Sequence, residues 1–143
     1  MRLLPTATLL CLPVLATGCL LQQPGESIVY SPCHASATGN WRAWVETINV
    51  SRSKAPLHRT FLFVEGDVTL PGEGWSASLD RGPVEQLREP VQELIVRTSG
   101  AGAGTPVVRR VAGRFRPLRQ YGAIAIRCGD ARVATIRDVP RRG

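Results

Sequence analysis

Residues 60–70 alternate more cleanly than any other stretch of the chain. Leu62, Val64, Val68 and Leu70 fall on one side, and Phe61, Phe63, Glu65, Asp67 and Thr69 on the other. A period of two is that of a β-strand with one face in a core. Gly66 interrupts the inward set, which predicts a bulge or the close approach of another element. Residues 41–51 set Trp44, Glu46, Ile48 and Val50 against Trp41, Ala43, Val45 and Thr47. Both sides are rather apolar, as in a strand interior to a sheet. A helical turn over 41–45 is the alternative.

The turn Pro71-Gly72-Glu73-Gly74 predicts a hairpin between 60–70 and a half-buried strand at 75–79. Further strands are predicted at 91–98, with Leu94 and Val96 inward, and at 106–115, 121–128 and 132–139. Residues 33–40 read as irregular, 51–57 as a loop and 80–90 as a connection bracketed by Pro83 and Pro90. Residues 99–105 (Ser-Gly-Ala-Gly-Ala-Gly-Thr) read as a flexible loop, and 140–143 as a frayed tail. About seven short strands and no helix of convincing length predict an all-β domain. The expected fold is an antiparallel β-sandwich with an immunoglobulin-like, Greek-key layout. The cysteine and tyrosine spacing of antibody domains is absent, because Tyr121 lies seven residues before Cys128 rather than two. The analogy concerns architecture only.

The beginning of the chain follows a different pattern. Arg2 is followed by an apolar run over residues 3–15, about thirteen residues, which suits a signal peptide and is too short to span a bilayer as a helix. Pro5 and Pro13 within it also oppose a stable helix. Then come Ala16, Thr17, Gly18 and Cys19. This resembles the lipobox of bacterial lipoproteins, with Ala16 where that class more often has Leu. The resemblance implies cleavage before Cys19, a diacylglyceryl group on its thiol and acylation of the new amine. It implies a signal peptide at 1–18 and a membrane anchor at Cys19. Leu20, a residue other than Asp after the cysteine, implies by likeness to enterobacterial sorting an outer-membrane location facing the periplasm. Residues 19–32 read as a tether and 33–143 as the folded domain.

The cysteines agree with that reading. Cys11 would leave with the signal, so the mature chain would hold Cys19, Cys33 and Cys128, an odd number in an oxidising compartment. With Cys19 lipidated, Cys33 and Cys128 are left to form a disulfide.

Charge is uneven. The whole chain is +7. Residues 19–96 carry six basic and nine acidic residues, whereas 97–143 carry eleven arginines against Asp130 and Asp138. Such clustering suits an anionic surface, a lipid headgroup, an acidic glycan or an envelope protein. Nucleic acid is excluded on compartment. Arg109, Arg110, Arg114, Arg116 and Arg119 are the candidate contacts, with a solvated edge strand as the plainer explanation.

Catalytic chemistry finds little support. His34 and His58, the only histidines, lack metal-ligand spacing. Glu65 and Asp67 share a strand face about 7 Å apart, an arrangement more common in solvated faces than in glycosidases. The glycines of 100–104 lack the Lys and Ser/Thr of a phosphate loop. Trp41, Trp44 and Trp75 are expected mainly in the core. No metal, cofactor or catalytic residue is expected. The chain therefore reads as a lipid-anchored, non-catalytic binding or structural module of the envelope. The alternative is a small periplasmic inhibitor of a hydrolase, a protease or lysozyme, acting through 99–105 or 71–74.

Overall fold

The computed structural model describes residues 29–143. The signal peptide, Cys19 and the first part of the tether lie outside the described residues. Eight strands follow in order: β1 (Ala37–Asn49), β2 (His58–Leu70), β3 (Ser76–Glu85), β4 (Val91–Ser99), β5 (Val107–Phe115), β6 (Ala123–Cys128), β7 (Ala131–Ile136) and β8 (Arg141–Arg142). They form two four-stranded sheets, β5-β2-β1-β8 (sheet A) and β3-β4-β6-β7 (sheet B). The fold is a β-sandwich.

The alternation seen in the sequence builds the core. Leu62, Val64, Val68 and Leu70 of β2 point inward, with Ala43 and Val45 of β1 and Val111 of β5. Sheet B answers with Leu79, Leu94, Val96, Ile124 and Ile126. Gln92 is the polar member of that inner face. Its amide donates to the carbonyls of Gly82 and Glu93, and its oxygen accepts from Arg81 Nε at 3.0 Å. A buried amide so bonded avoids the cost of an unmade hydrogen bond.

Four expectations are corrected. The strand interior at 41 begins earlier, at Ala37. A register shift between Gly39 and Arg42, with Asn40 at a φ of 54°, lets the strand bulge and continue through the part read as irregular. Residues 80–85 belong to β3 rather than to a connection. β3 is an edge strand, and the shift between Arg81 and Val84 leaves Pro83 without a ladder bond to supply. The tail is not frayed throughout, because Arg141 and Arg142 pair with Val45 and Glu46.

The all-β sandwich is as expected, and the fourth correction is to one detail of its antiparallel, immunoglobulin-like layout. Four of the six strand pairings are antiparallel, but β4–β6 and β1–β8 are parallel. A parallel neighbour needs a crossover. β5, lying in sheet A, is the crossover that returns the chain to sheet B beside β4 in the same sense.

The Cys33–Cys128 disulfide is present, with Cα atoms 5.2 Å apart. It ties the segment before β1 to the end of β6. That segment is fastened as far back as Tyr30. Tyr30 donates from its hydroxyl to Glu93 at 2.7 Å, Ser31 accepts from Arg97, and the His34 amide donates to Thr98 Oγ1. Residues 30 and 31 thus lie on the outer face of β4 at Glu93 and Arg97, and residues 33 and 34 turn in toward the core side at Cys128 and Thr98.

Candidate ligand-binding face

The outer face of sheet A carries Trp44, Phe61 and Phe63 of the first two strands. Phe61 and Phe63 lie opposite in parity to the buried aliphatics of β2, and Trp44 faces Phe63 across the β1–β2 ladder. The Trp44 and Phe63 rings stack at 5.6 Å with planes 12° apart, and Phe61 meets Phe63 edge-on at 6.3 Å. Both arrangements suit the ring quadrupole. A guanidinium caps each end of this row. Arg114 of β5 lies 4.7 Å above Phe61, and Arg142 of β8 lies 4.6 Å above Trp44. Each contact is a cation–π interaction. The row Arg114, Phe61, Phe63, Trp44, Arg142 therefore crosses all four strands. The rings are half-buried and both arginines exposed.

Of the three tryptophans, Trp41 and Trp75 pack against the core, while Trp44 stands on the outside. The indole N–H of Trp44 donates to Glu46 Oε2 at 2.9 Å. At the lower edge of the row, Arg59, Thr60, Phe61 and Arg116 line a shallow recess of about 470 Å³.

The five arginines singled out by sequence do not form one patch. Arg109 pairs with Glu73, and Arg110 with Asp67 at 3.4 Å. Arg114 belongs to the aromatic row. Arg116 and Arg119 follow β5 in the loop leading to β6, and Arg119 lines a second recess with Tyr121, Arg137 and Arg141. Arg110 and Arg114 do share the outer face of sheet A, as the alternation requires, and Arg109 has the other parity.

The two carboxylates of that face are occupied. Glu65 pairs with Arg42. Asp67 accepts from Asn40 Nδ2 at 2.7 Å as well as from Arg110. The Asn40 bond first, and the Arg110 contact after it, hold the Asp67 carboxyl below its ordinary range despite some desolvation. Asp67 is therefore not poised as a proton donor near neutral pH. His34 stacks on Trp75 at 4.7 Å and bonds to Thr98, and His58 is exposed at the start of β2. Among the described residues no three His, Cys, Asp or Glu side chains gather as a metal set.

One buried charge cluster lies on the opposite face. Glu93, 2% exposed, accepts from Arg127 Nε at 2.7 Å and from the Tyr30 hydroxyl, with Arg132 at 3.6 Å. Burial pushes its carboxyl up, but the Arg127 and Tyr30 bonds together outweigh burial and hold it below the ordinary value. The hydrogen bond to Glu93 in turn raises the Tyr30 hydroxyl. Arg127 lies over the Tyr30 ring at 4.9 Å. The cluster fastens the incoming segment to sheet B.

The glycine-rich loop is tied down as well. Gly104 N–H donates to the Pro71 carbonyl at 3.0 Å, and the Trp75 indole donates to the Gly102 carbonyl at 2.8 Å. The stretch expected to be flexible is bonded to the 71–75 turn, and the two form one tip.

No family model matches this chain, and no curated protein or solved structure shows significant similarity to it. Function is therefore argued from the chemistry of its surfaces. The aromatic row was half visible in sequence. Phe61 and Phe63 had the outward parity, but Trp44 sat in a strand apolar on both sides, where alternation does not say which side is in.

Proposed function

We propose that this protein is a lipid-anchored, non-catalytic binding module of the bacterial envelope, which presents the outer face of sheet A to its ligand. The observation that carries this reading is the open row Arg114, Phe61, Phe63, Trp44, Arg142. Three rings left on a solvated sheet face contribute nothing to the core. Arginine and aromatic side chains are the residues that dominate binding surfaces. With a guanidinium at each end, the row suits a ligand with an apolar or ring-shaped body and acidic groups, such as an anionic glycan or an acidic patch of an envelope protein.

The anchor rests on the lipobox-like Ala16-Thr17-Gly18-Cys19. The Cys33–Cys128 bond supports it, since it accounts for both other cysteines of a chain cleaved before Cys19. Two or three acyl chains there would anchor the protein firmly. The location that follows is the outer membrane, facing the periplasm.

A photo-crosslinking residue placed at Ala112, exposed between Arg110 and Arg114, tests the face in whole cells. The same residue at Ser78, on the outer face of sheet B, is the control. The expected result is an adduct at 112 alone, lost when Trp44→Ser and Arg114→Gln are combined. No adduct at 112, or the same adduct at both positions, would overturn the reading.

A further inference from the structure

The two ends of the sandwich differ sharply in charge. β1, β3, β5 and β7 finish at one end, and β2, β4 and β6 begin there. That end gathers the loops 50–57, 86–90 and 116–122 and residues 137–143. The first loop holds Arg52 and Lys54, the second Arg88, and the third Arg116 and Arg119. The last stretch adds Arg137 and Arg141, while Arg142 stays over Trp44 on the outer face of sheet A. Against these seven cations stand Glu89 and Asp138, an excess of five. The opposite end, made of 71–75, 100–106 and 129–130, has Glu73 and Asp130 and no cation.

Two further observations set the cationic end apart. All seven of its basic side chains are exposed, and none has a carboxylate within ion-pair distance among the described residues. The six ion-paired arginines of the described residues all lie within strands. Of the other strand arginines, Arg81 is held by Gln92 and Arg114 by the Phe61 ring, whereas at the cationic end no side chain has a carboxylate partner among the described residues.

The second observation is where the chain comes in. Tyr30 bonds to Glu93, Ser31 to Arg97 and His34 to Thr98. Residues 30–34 therefore run in the same sense as β4, which starts at the cationic end. Val29 lies toward that end. Only ten residue steps separate it from Cys19, at most about 36 Å of chain.

We propose that the cationic end of the sandwich rests on the anionic phospholipid headgroups of the membrane that holds Cys19. The proposal rests on the lipid-anchor reading for its membrane, and on the charge distribution for its surface. Each basic side chain near an anionic surface raises the partition about five-fold, roughly 1 kcal/mol. The field falls off within about 8 Å at physiological ionic strength, so only the loops of this end take part. A short tether holds those loops at high local concentration over the surface. The domain stands upright, the aromatic face opens sideways, and the 71–75 and 99–105 tip points away.

The whole chain carrying Cys19→Ser separates this surface from the lipid. Flotation with phosphatidylcholine vesicles is compared with flotation on vesicles that also contain phosphatidylglycerol, in parallel with binding to a soluble acidic polysaccharide. The expected result is flotation on the anionic vesicles only. Lys54→Gln, Arg119→Gln and Arg137→Gln together lower it about a hundred-fold, at an unchanged melting temperature. Arg109→Gln with Arg110→Gln, cations of the body, change it less than two-fold. Equal flotation on neutral vesicles, no flotation on anionic ones, or equal loss in both variant sets overturns the contact. Polysaccharide binding without vesicle binding overturns it in favour of a glycan. Labelled palmitate on the unmodified chain reads the anchor separately. Label without vesicle binding overturns the contact alone, and vesicle binding without label overturns the anchor alone.

Discussion

At the scale of single residues, Gly66 and Glu93 show how much one position can decide. Gly66 is in register with Val111 on the neighbouring strand, and the Trp41 ring occupies the space its side chain would fill. Gly66→Ala should displace Trp41 from the core edge and cost about 1–3 kcal/mol, read as a lower denaturation midpoint. The gap in the inward set was legible in sequence as a close approach. The partner was not, because Trp41 reaches it only through the bulge at Asn40. Glu93 makes a prediction about acid. Its native carboxyl is held below the ordinary value near 4.5. Its contribution is therefore complete above that value and lost as pH falls through the lower native one. Denaturation curves should show Glu93→Gln less stable than the parent at neutral pH, with a smaller loss between neutrality and acid. A parallel loss in both proteins would refute this. Nothing in the sequence marked Glu93, since its arginine partner is 34 residues away.

Elements were legible where one rule acted alone. β2, β4 and β6 follow their apolar patterns and were read within a few residues of their bounds. β3 was read only as far as Leu79 and β8 was missed, both for physical reasons. Pro83 and Gly82 look like punctuation, yet an edge strand tolerates both when the register slips. β8 consists of two arginines, whose pairing with β1 depends on the Pro140 carbonyl accepting from Val45 at 2.8 Å, a long-range fact. The disulfide was legible by counting cysteines. It closes a separation of 95 residues between the segment before β1 and the end of β6. In the chain-entropy account such a loop contributes up to about 4–5 kcal/mol. Replacing Cys33 and Cys128 by Ser should lower stability by an amount of that order, with the sheet content in far-ultraviolet circular dichroism retained at low temperature. An unchanged midpoint would show that the Tyr30 to His34 contacts hold the segment unaided.

For the whole molecule, local patterns specified two packed sheets but not the direction of every strand within them. Alternation tells which side of a strand is buried, and it is silent on whether a neighbour runs up or down. The charge excess in the C-terminal third was legible too. That its ion-paired arginines lie on strands, and that most of the others gather at one end, needed the topology. The same topology has a consequence in time. The hairpins β3–β4 and β6–β7 can each close early, from neighbouring residues. The β4–β6 seam between them cannot close until β5 has crossed to sheet A and the chain has returned. Until then β4 offers an open row of backbone donors and acceptors to any other strand nearby. Pairing of this kind, distant in sequence, is slow. The interval before that seam closes is when a newly made chain is most exposed to pairing with its neighbours.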